Sequence, residues 1–464
     1  MKHTFRTIAV ASSIAFVPML GCSQHAPPPA PEAVAPQPAP ALVTAKIPDQ
    51  FDESRVRHYT LPDALVLNDG QPVTDAQTWY DKRRPEILQM FEALYYGKKP
   101  PRPADERFVM LEETHDALGG KAIRKQVAIQ FRGFTINMLI YLPAAAPKPV
   151  PVFLCLSFSP LQNVTTDPNV ILMDEWVTNK KTHVAVRQPG SSATRGTSLK
   201  PWQTDEILSR GYGIAWIYYD QIEPDWSGGM KEGVRGLYLK PGQSQPAPDE
   251  WGAIGAWSWG ASRALDYLQI DPDVDGTRVV IMGQSRLGKT AVWTGASDPR
   301  FAVVFACNSG RGGASLARRN YGETTADLAR NYGYQFCGNF QKYAGDPTMF
   351  PMDTHELLGL IAPRPVFLTT GSLNPVGKHG DRHSDPHGEF LAAVAAGPMF
   401  QLLGGQDLGI DTDPPLDVPA FGTIAYCQHT EGHLVTPGDW TDALAFADWQ
   451  FKGIRPTIRL ANMP

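Results

Sequence analysis

Residues 278–296, RVVIMGQSRLGKTAVWTGA, constrain the fold more than any other part of the chain. Arg278 to Gly283 is a short apolar run of strand type, and Arg286 to Ala296 has helical make-up. Only Gln284 and Ser285 lie between them. A strand that passes into a helix through two residues must turn sharply, and small residues are needed where the two elements pack closely. The same alternation recurs along the chain. Strands are expected over 150–156, 213–219, 301–307 and 365–370. Helices are expected over 251–268, with aromatics on one face, and over 390–396 and 439–451. Another helix closes at 357–361, and 420–426 reads as extended. Repeated strand–helix units predict an α/β fold, a mostly parallel sheet covered by helices on both faces. Upstream, 63–103 has helical character, with Ile87, Met90, Phe91 and Leu94 at helix spacing. Residues 126–142 read as two antiparallel strands turning at Arg132-Gly133.

The chain has 464 residues, 42% of them hydrophobic and 19% charged, with a formal net charge of -5 and no strongly basic run. That balance suits a packed globular protein and excludes nucleic acid as a partner. No internal repeat interrupts residues 46–464, which are expected to form a single catalytic domain.

The first 22 residues read as an export signal. Lys2 and Arg6 precede an apolar stretch over 8–20, shorter than a membrane span. It ends in Met19-Leu20-Gly21-Cys22, which resembles the lipobox of bacterial lipoproteins, so Cys22 is a candidate for acylation. Residues 23–45 are rich in proline, which excludes helix and ladder and makes an extended spacer. Periplasmic, outer-membrane-anchored or secreted placement follows, with any membrane contact made through this lipid alone. The remaining cysteines, Cys155, Cys307, Cys337 and Cys427, are scattered and read as buried free thiols.

Ser285 sits where a strand-to-helix turn lifts its hydroxyl to the carboxyl edge of the sheet. The helix start then aims backbone N–H groups at any oxyanion formed there. A serine at this place is equally suited to capping the helix. The order of the partners favours catalysis. In α/β hydrolases nucleophile, acid and histidine follow one another along the chain. His433, beside a glycine in a loop just before the last helix, is placed to take a proton from Ser285 and return it to a leaving alcohol.

Several long blocks, in order, carry a family resemblance. They are WYDKRRPEILQMFEALYYGKKP, WGAIGAWSWGASRALDYL, GQSRLGKTAVWTGASDPRFA, NSGRGGASLARRNYGET, DTHELLGLIAPRPVFL, DPHGEF and EGHLVTPGDW. Over residues 60–452 the chain resembles the glucuronoyl esterases, carbohydrate esterase family fifteen. The resemblance implies an α/β-hydrolase three-layer sandwich and no cofactor. It implies a monomer whose substrate is a glucuronoxylan or lignin–carbohydrate ester, cleaved at the glucuronic acid through an acyl-enzyme. It implies Ser285 as nucleophile, His433 as base, Arg286 as an oxyanion donor, and Lys289 and Glu323 as sugar contacts.

The acid position varies within that family. One of its two places is occupied here by Asn308, which carries no charge but can still orient a ring. The other falls in Asp381-Arg382-His383-Ser384-Asp385-Pro386, which assigns the acid to Asp381 and keeps Asp385 in reserve, a residue also suited to capping the helix that starts near His387. Two aromatic positions of the family's sugar pocket are His383 and Gln335 here, and an arginine position is His429. The loop 373–380 is longer than usual. Weakened stacking on a sugar ring leaves a broader acetyl or aryl esterase as the alternative activity. A carbohydrate-binding protein without catalysis, signalled by Asn308, is the alternative of another class. His379, Asp381, His383 and His387 crowd into nine residues but lack a metal-binding frame, so no metal is expected.

Overall fold

The computed structural model describes residues 50–178, 185–373 and 380–456. The export segment, the proline-rich spacer, His379 and most of the loop 373–380 lie outside them. The described residues form strands β1 (Arg107–Asp116), β2 (Ala122–Phe131), β3 (Phe134–Pro143), β4 (Val150–Ser157), β5 (Glu175–Thr178) and β6 (Ala185–Gln188). Then follow β7 (Gly213–Tyr218), β8 (Val274–Gln284), β9 (Val303–Cys307), β10 (Val366–Gly371) and β11 (Ile424–His429). Nine of these make one sheet, ordered β1-β2-β3-β7-β4-β8-β9-β10-β11, while β5 and β6 pair by themselves. From β7 to β11 every pairing is parallel. β1, β2 and β3 add an antiparallel flank.

The strand sequences explain why both faces are covered. Side chains alternate across a strand, and here both sets are apolar. Val152, Leu154 and Leu156 of β4 enter one core, and Phe153 and Cys155 enter the other. Val279 and Ile281 part from Val280 and Met282 in β8 in the same way. Each such fully buried side chain contributes about 1.5–3 kcal/mol relative to leaving it in water. One core is closed by helices α1 (Arg84–Leu94), α3 (Ala253–Leu268), α4 (Arg286–Ser297), α6 (Thr354–Gly359) and α7 (Pro386–Leu402). The other is closed by α2 (Thr204–Ser209) and α8 (Pro437–Lys452), through Ile207, Leu208, Trp440 and Leu444. A further helix, α5 (Thr325–Tyr332), stands beside the carboxyl ends of the strands.

Three local expectations need correction. α3, expected to carry its aromatics on one face, is buried along its whole length. Trp257 Nε1 donates to Glu223 O at 2.8 Å and Trp259 Nε1 to Pro100 O at 3.0 Å, so connecting segments cover the side away from the sheet. The last strand is Ile424–His429, later than expected, because Ala420 folds back to exchange hydrogen bonds with Tyr426. β1 has no counterpart in the sequence reading. It is an edge strand exposed along most of its length, so the apolar alternation that marks a strand is missing. The four described cysteines are buried free thiols.

Candidate active site

The turn between β8 and α4 holds Ser285 at φ 56° and ψ -126°, a sparsely populated conformation for a residue with a side chain. Surrounding bonds over-determine it. Ser285 N donates to Cys307 O at 2.8 Å, and Lys289 N donates to Ser285 O at 2.9 Å. Two glycines make the turn passable. A Cβ on Gly283 would lie 2.1 Å from Leu287 O, and one on Gly288 would lie 2.7 Å from Cys307 O. Gly288 is thus needed where α4 crosses the end of β9, which accounts for a glycine at the third place after the serine. The N–H of Arg286, first in α4, has no acceptor within the helix.

His433 comes from the loop after β11, and Asp381 from the loop after β10. His433 Nδ1 donates to Asp381 Oδ1 at 2.6 Å. Because the carboxylate is an acceptor, the ring proton sits on Nδ1 and Nε2 keeps its lone pair. Asp381 is buried and its carboxylate accepts four further hydrogen bonds. Oδ1 accepts from Ser384 Oγ, while Oδ2 accepts from Asn308 Nδ2 at 2.7 Å, Thr370 Oγ1 at 2.9 Å and Gly371 N at 2.9 Å. Burial pushes the Asp381 carboxyl up, but the hydrogen bonds and charge from His433, with those from Ser384 and Asn308, outweigh it and hold the group below its ordinary value. Asn308 therefore orients the carboxylate, not the imidazole ring. Asp385 caps α7, accepting from Gly388 N at 3.1 Å, and pairs with Arg319 Nε at 2.9 Å.

Arg286 follows Ser285 in the chain and lines the same cleft. Its Nη1 donates to Asp225 Oδ2, and its guanidinium lies 5.2 Å from the ring centroid of Tyr332. Gln335 is buried and donates through Nε2 to Asp225 Oδ1 at 3.0 Å, so this polar residue is held by the same carboxylate. Lys289 is buried with Nζ donating to Ser309 O at 2.8 Å. Burial pushes its pKa down, and the nearby Glu323 carboxylate opposes that shift. His383 is exposed, its ring edge-on to Phe51 at 4.9 Å.

The nine residues singled out from sequence, Ser285, Arg286, Lys289, Asn308, Glu323, Gln335, Asp381, His383 and His433, all line one cleft of 360 Å³. A second basin of 720 Å³ adjoins it across Arg286 and Tyr332, which line both. Of the crowded histidines, His387 Nδ1 donates to Asp413 Oδ2 at 2.6 Å, away from Asp381 and His383 in its bonding. Among the described residues no cluster of three His, Cys, Asp or Glu side chains is spaced for a metal ion.

Sequence reasoning passed over three residues at this site. Asp225 follows the carboxyl end of β7, where α/β folds place functional loops, and that position was the available signal. Ser384, in the run that carries Asp381, adds a hydroxyl 3.4 Å from His433 Nδ1. Glu389 lies fully buried behind the cleft, with Oε1 accepting from Gly310 N and from Ser309 Oγ at 3.2 Å. Burial raises its carboxyl to about 8 against the opposing Gly310 hydrogen bond.

A family profile described as glucuronyl esterase, fungi, matches residues 208–404. A solved glucuronoyl esterase from Solibacter usitatus is 45% identical, covers 86% of this chain and 100% of its own, and superposes with a TM-score of 0.80. A promiscuous CE15 esterase from a marine bacterial metagenome is 39% identical over 87% of this chain and 100% of its own, at a TM-score of 0.79. A 4-O-methyl-glucuronoyl methylesterase of Schizophyllum commune is 27% identical over 66% of this chain and 65% of its own length.

Proposed function

The chain belongs to the glucuronoyl esterases of carbohydrate esterase family fifteen, carboxylic ester hydrolases, and from that premise we propose a serine mechanism on glucuronic acid esters, centred on Ser285. Ser285 Oγ attacks the ester carbonyl carbon while His433 Nε2 takes its proton. The carbonyl oxygen becomes an oxyanion, stabilised by the Arg286 backbone N–H and guanidinium. The tetrahedral intermediate collapses as His433 returns the proton to the departing alcohol, leaving an acyl-enzyme on Ser285. Water then adds, with His433 again taking a proton, and glucuronic acid leaves as Ser285 recovers its hydrogen. Asp381 stabilises the imidazolium that forms twice in this cycle. Lys289 and Glu323 meet the hydroxyls of the uronate.

The observation that carries the reading is the 2.6 Å bond between His433 Nδ1 and a fully satisfied Asp381 carboxylate in a cleft that also holds Ser285. It removes the ground for a non-catalytic protein, since the charge Asn308 lacks is supplied by Asp381. The test is hydrolysis of a benzyl ester of glucuronic acid by wild type and Ser285→Ala. Wild-type turnover that the substitution abolishes is expected; undiminished turnover by Ser285→Ala would overturn the assignment.

A second reading, a broader ester range, is supported by polar Gln335 and exposed His383 on the cleft wall and by the promiscuity ascribed to the metagenome esterase. The ratio of kcat/KM on the glucuronate ester to that on an acetyl aryl ester separates the two. Finally, the signal-like residues 1–22 and the proline-rich spacer support export, with Cys22 as lipid anchor. No helix among the described residues is long and apolar enough to cross a membrane. Loss of membrane association in Cys22→Ser is the expected result. The enzyme is proposed to act as a monomer, which sedimentation would check.

A further inference from the structure

Arg286 is a long side chain, 31% exposed, between two basins. Such a side chain loses rotamer freedom when it is held in one place. Among the described residues Asp225 is the guanidinium's hydrogen-bond partner, and the face of Tyr332 is its other contact. Asp225 in turn is nearly buried, 6% exposed, and saturated with donors. Oδ2 accepts from Arg286 and from Tyr219 OH at 3.0 Å, and Oδ1 accepts from Tyr334 OH at 2.7 Å and Gln335 Nε2 at 3.0 Å. Its backbone N–H donates to Asp220 Oδ1 at 2.8 Å. A carboxylate fixed by so many bonds moves little, and it transmits that rigidity to the cation it holds.

We propose that Asp225 is a positioning residue for ester hydrolysis: it holds the Arg286 guanidinium at the cleft that Ser285 lines and ties it to the Gln335 wall before the ester binds. The inference rests on the reading of Arg286 as an oxyanion donor. Asp220, although adjacent, does not double the negative charge on Arg286. Burial and the charge of Asp225 raise its carboxyl to about 8, so at neutral pH it holds its proton. The guanidinium thus faces one carboxylate charge, enough to orient it while leaving N–H groups for the oxyanion.

The test is a double-mutant cycle on the glucuronate benzyl ester, with Asp225→Ala and Arg286→Ala made singly and together. Asp225→Ala alone is expected to lower kcat about 10–100-fold, a part of what a whole oxyanion donor supplies, with KM changed by less than about threefold. In the Arg286→Ala background the same substitution should change kcat by less than about twofold, because the group through which it acts is gone. An equal loss in both backgrounds, or no loss in the first, overturns the positioning role. If Arg286→Ala itself keeps full kcat, it is the oxyanion reading that fails, which is a separate outcome. Asp225→Asn, isosteric and still able to accept from Tyr334 and Gln335, is measured in both backgrounds alongside. It keeps the cycle readable if the alanine variant does not fold.

Discussion

Two carboxylates with little exposed surface each hold a nitrogen base or cation at the cleft that Ser285 lines. Asp381 holds His433 and Asp225 holds Arg286, both through donor-saturated oxygens. They differ in when the partner's charge exists. The guanidinium is positive in every state, so Asp225 orients it but also offsets part of its attraction for an oxyanion. The imidazole becomes positive only as the serine proton moves, so nearly all of Asp381's electrostatic effect falls in the transition state. An anchor beside a permanent charge chiefly sets geometry. An anchor beside a charge made during the reaction lowers the barrier directly.

That difference ranks the expected effects. Asp381→Asn should lower kcat by about 10³–10⁴, through lost charge and the wrong ring tautomer, read in steady-state kinetics at pH 7. A loss no greater than that of Asp225→Ala would erase the distinction between the two anchors. Arg286→Ala comes next, at about 10²–10³ in kcat. Asn308→Ala removes one donor from Asp381 and should cost about tenfold or less, since four other bonds to the carboxylate remain. The depressed pKa of Asp381 stabilises the fold above the ordinary carboxylate range, and that contribution is lost as pH falls through the folded value. Removing the Asn308 bond raises that value, so thermal melting of Asn308→Ala should fall off at higher pH than wild type.

Glu389 supplies the smallest and sharpest contrast. It is as buried as Asp381, but among the described residues no basic side chain hydrogen-bonds to it and its Oε2 has no hydrogen-bond partner. With its carboxyl raised to about 8, the contribution of Glu389 to stability declines as pH rises from the ordinary carboxylate range toward that value. Glu389→Gln lacks this linkage. Its melting temperature relative to wild type should therefore climb between pH 5 and pH 8.5 while kcat stays unchanged. A pH-independent difference would mean that Glu389 is ionised in the fold, and that donor count does not set the charge of these buried acids.

Much of the fold was legible because its causes are local or periodic. The parallel strands are apolar on both faces, and the β8–α4 unit carries its two glycines where main chains nearly touch, at Gly283 and Gly288. Elements without such a signature were lost. β1 runs along an exposed edge that leaves Val109, Met110 and Leu111 in solvent, so it lacks the apolar alternation of a half-buried strand, while α3 is buried on every side. At the site, residue type and chain order nominated Ser285 and His433, with the family likeness adding Asp381, Arg286, Lys289, Glu323 and the altered positions His383 and Gln335.

The amino-acid sequence by itself determined the strand–helix rhythm, the sharp turn at Ser285 and the supply of a carboxylate and a histidine downstream. Those properties follow from side-chain volume, polarity and order, which are written residue by residue. Only the tertiary structure decided which groups share a hydrogen bond. It turned Asn308 toward Asp381 instead of the ring, gave Gln335 and Arg286 a common anchor in Asp225, and, among the described residues, buried Glu389 with its Oε2 unbonded. Such bonds join residues as far apart as 73 and 110 positions along the chain, and no local rule links them. Their partners and charge states depend on burial and on the donors that distant segments bring.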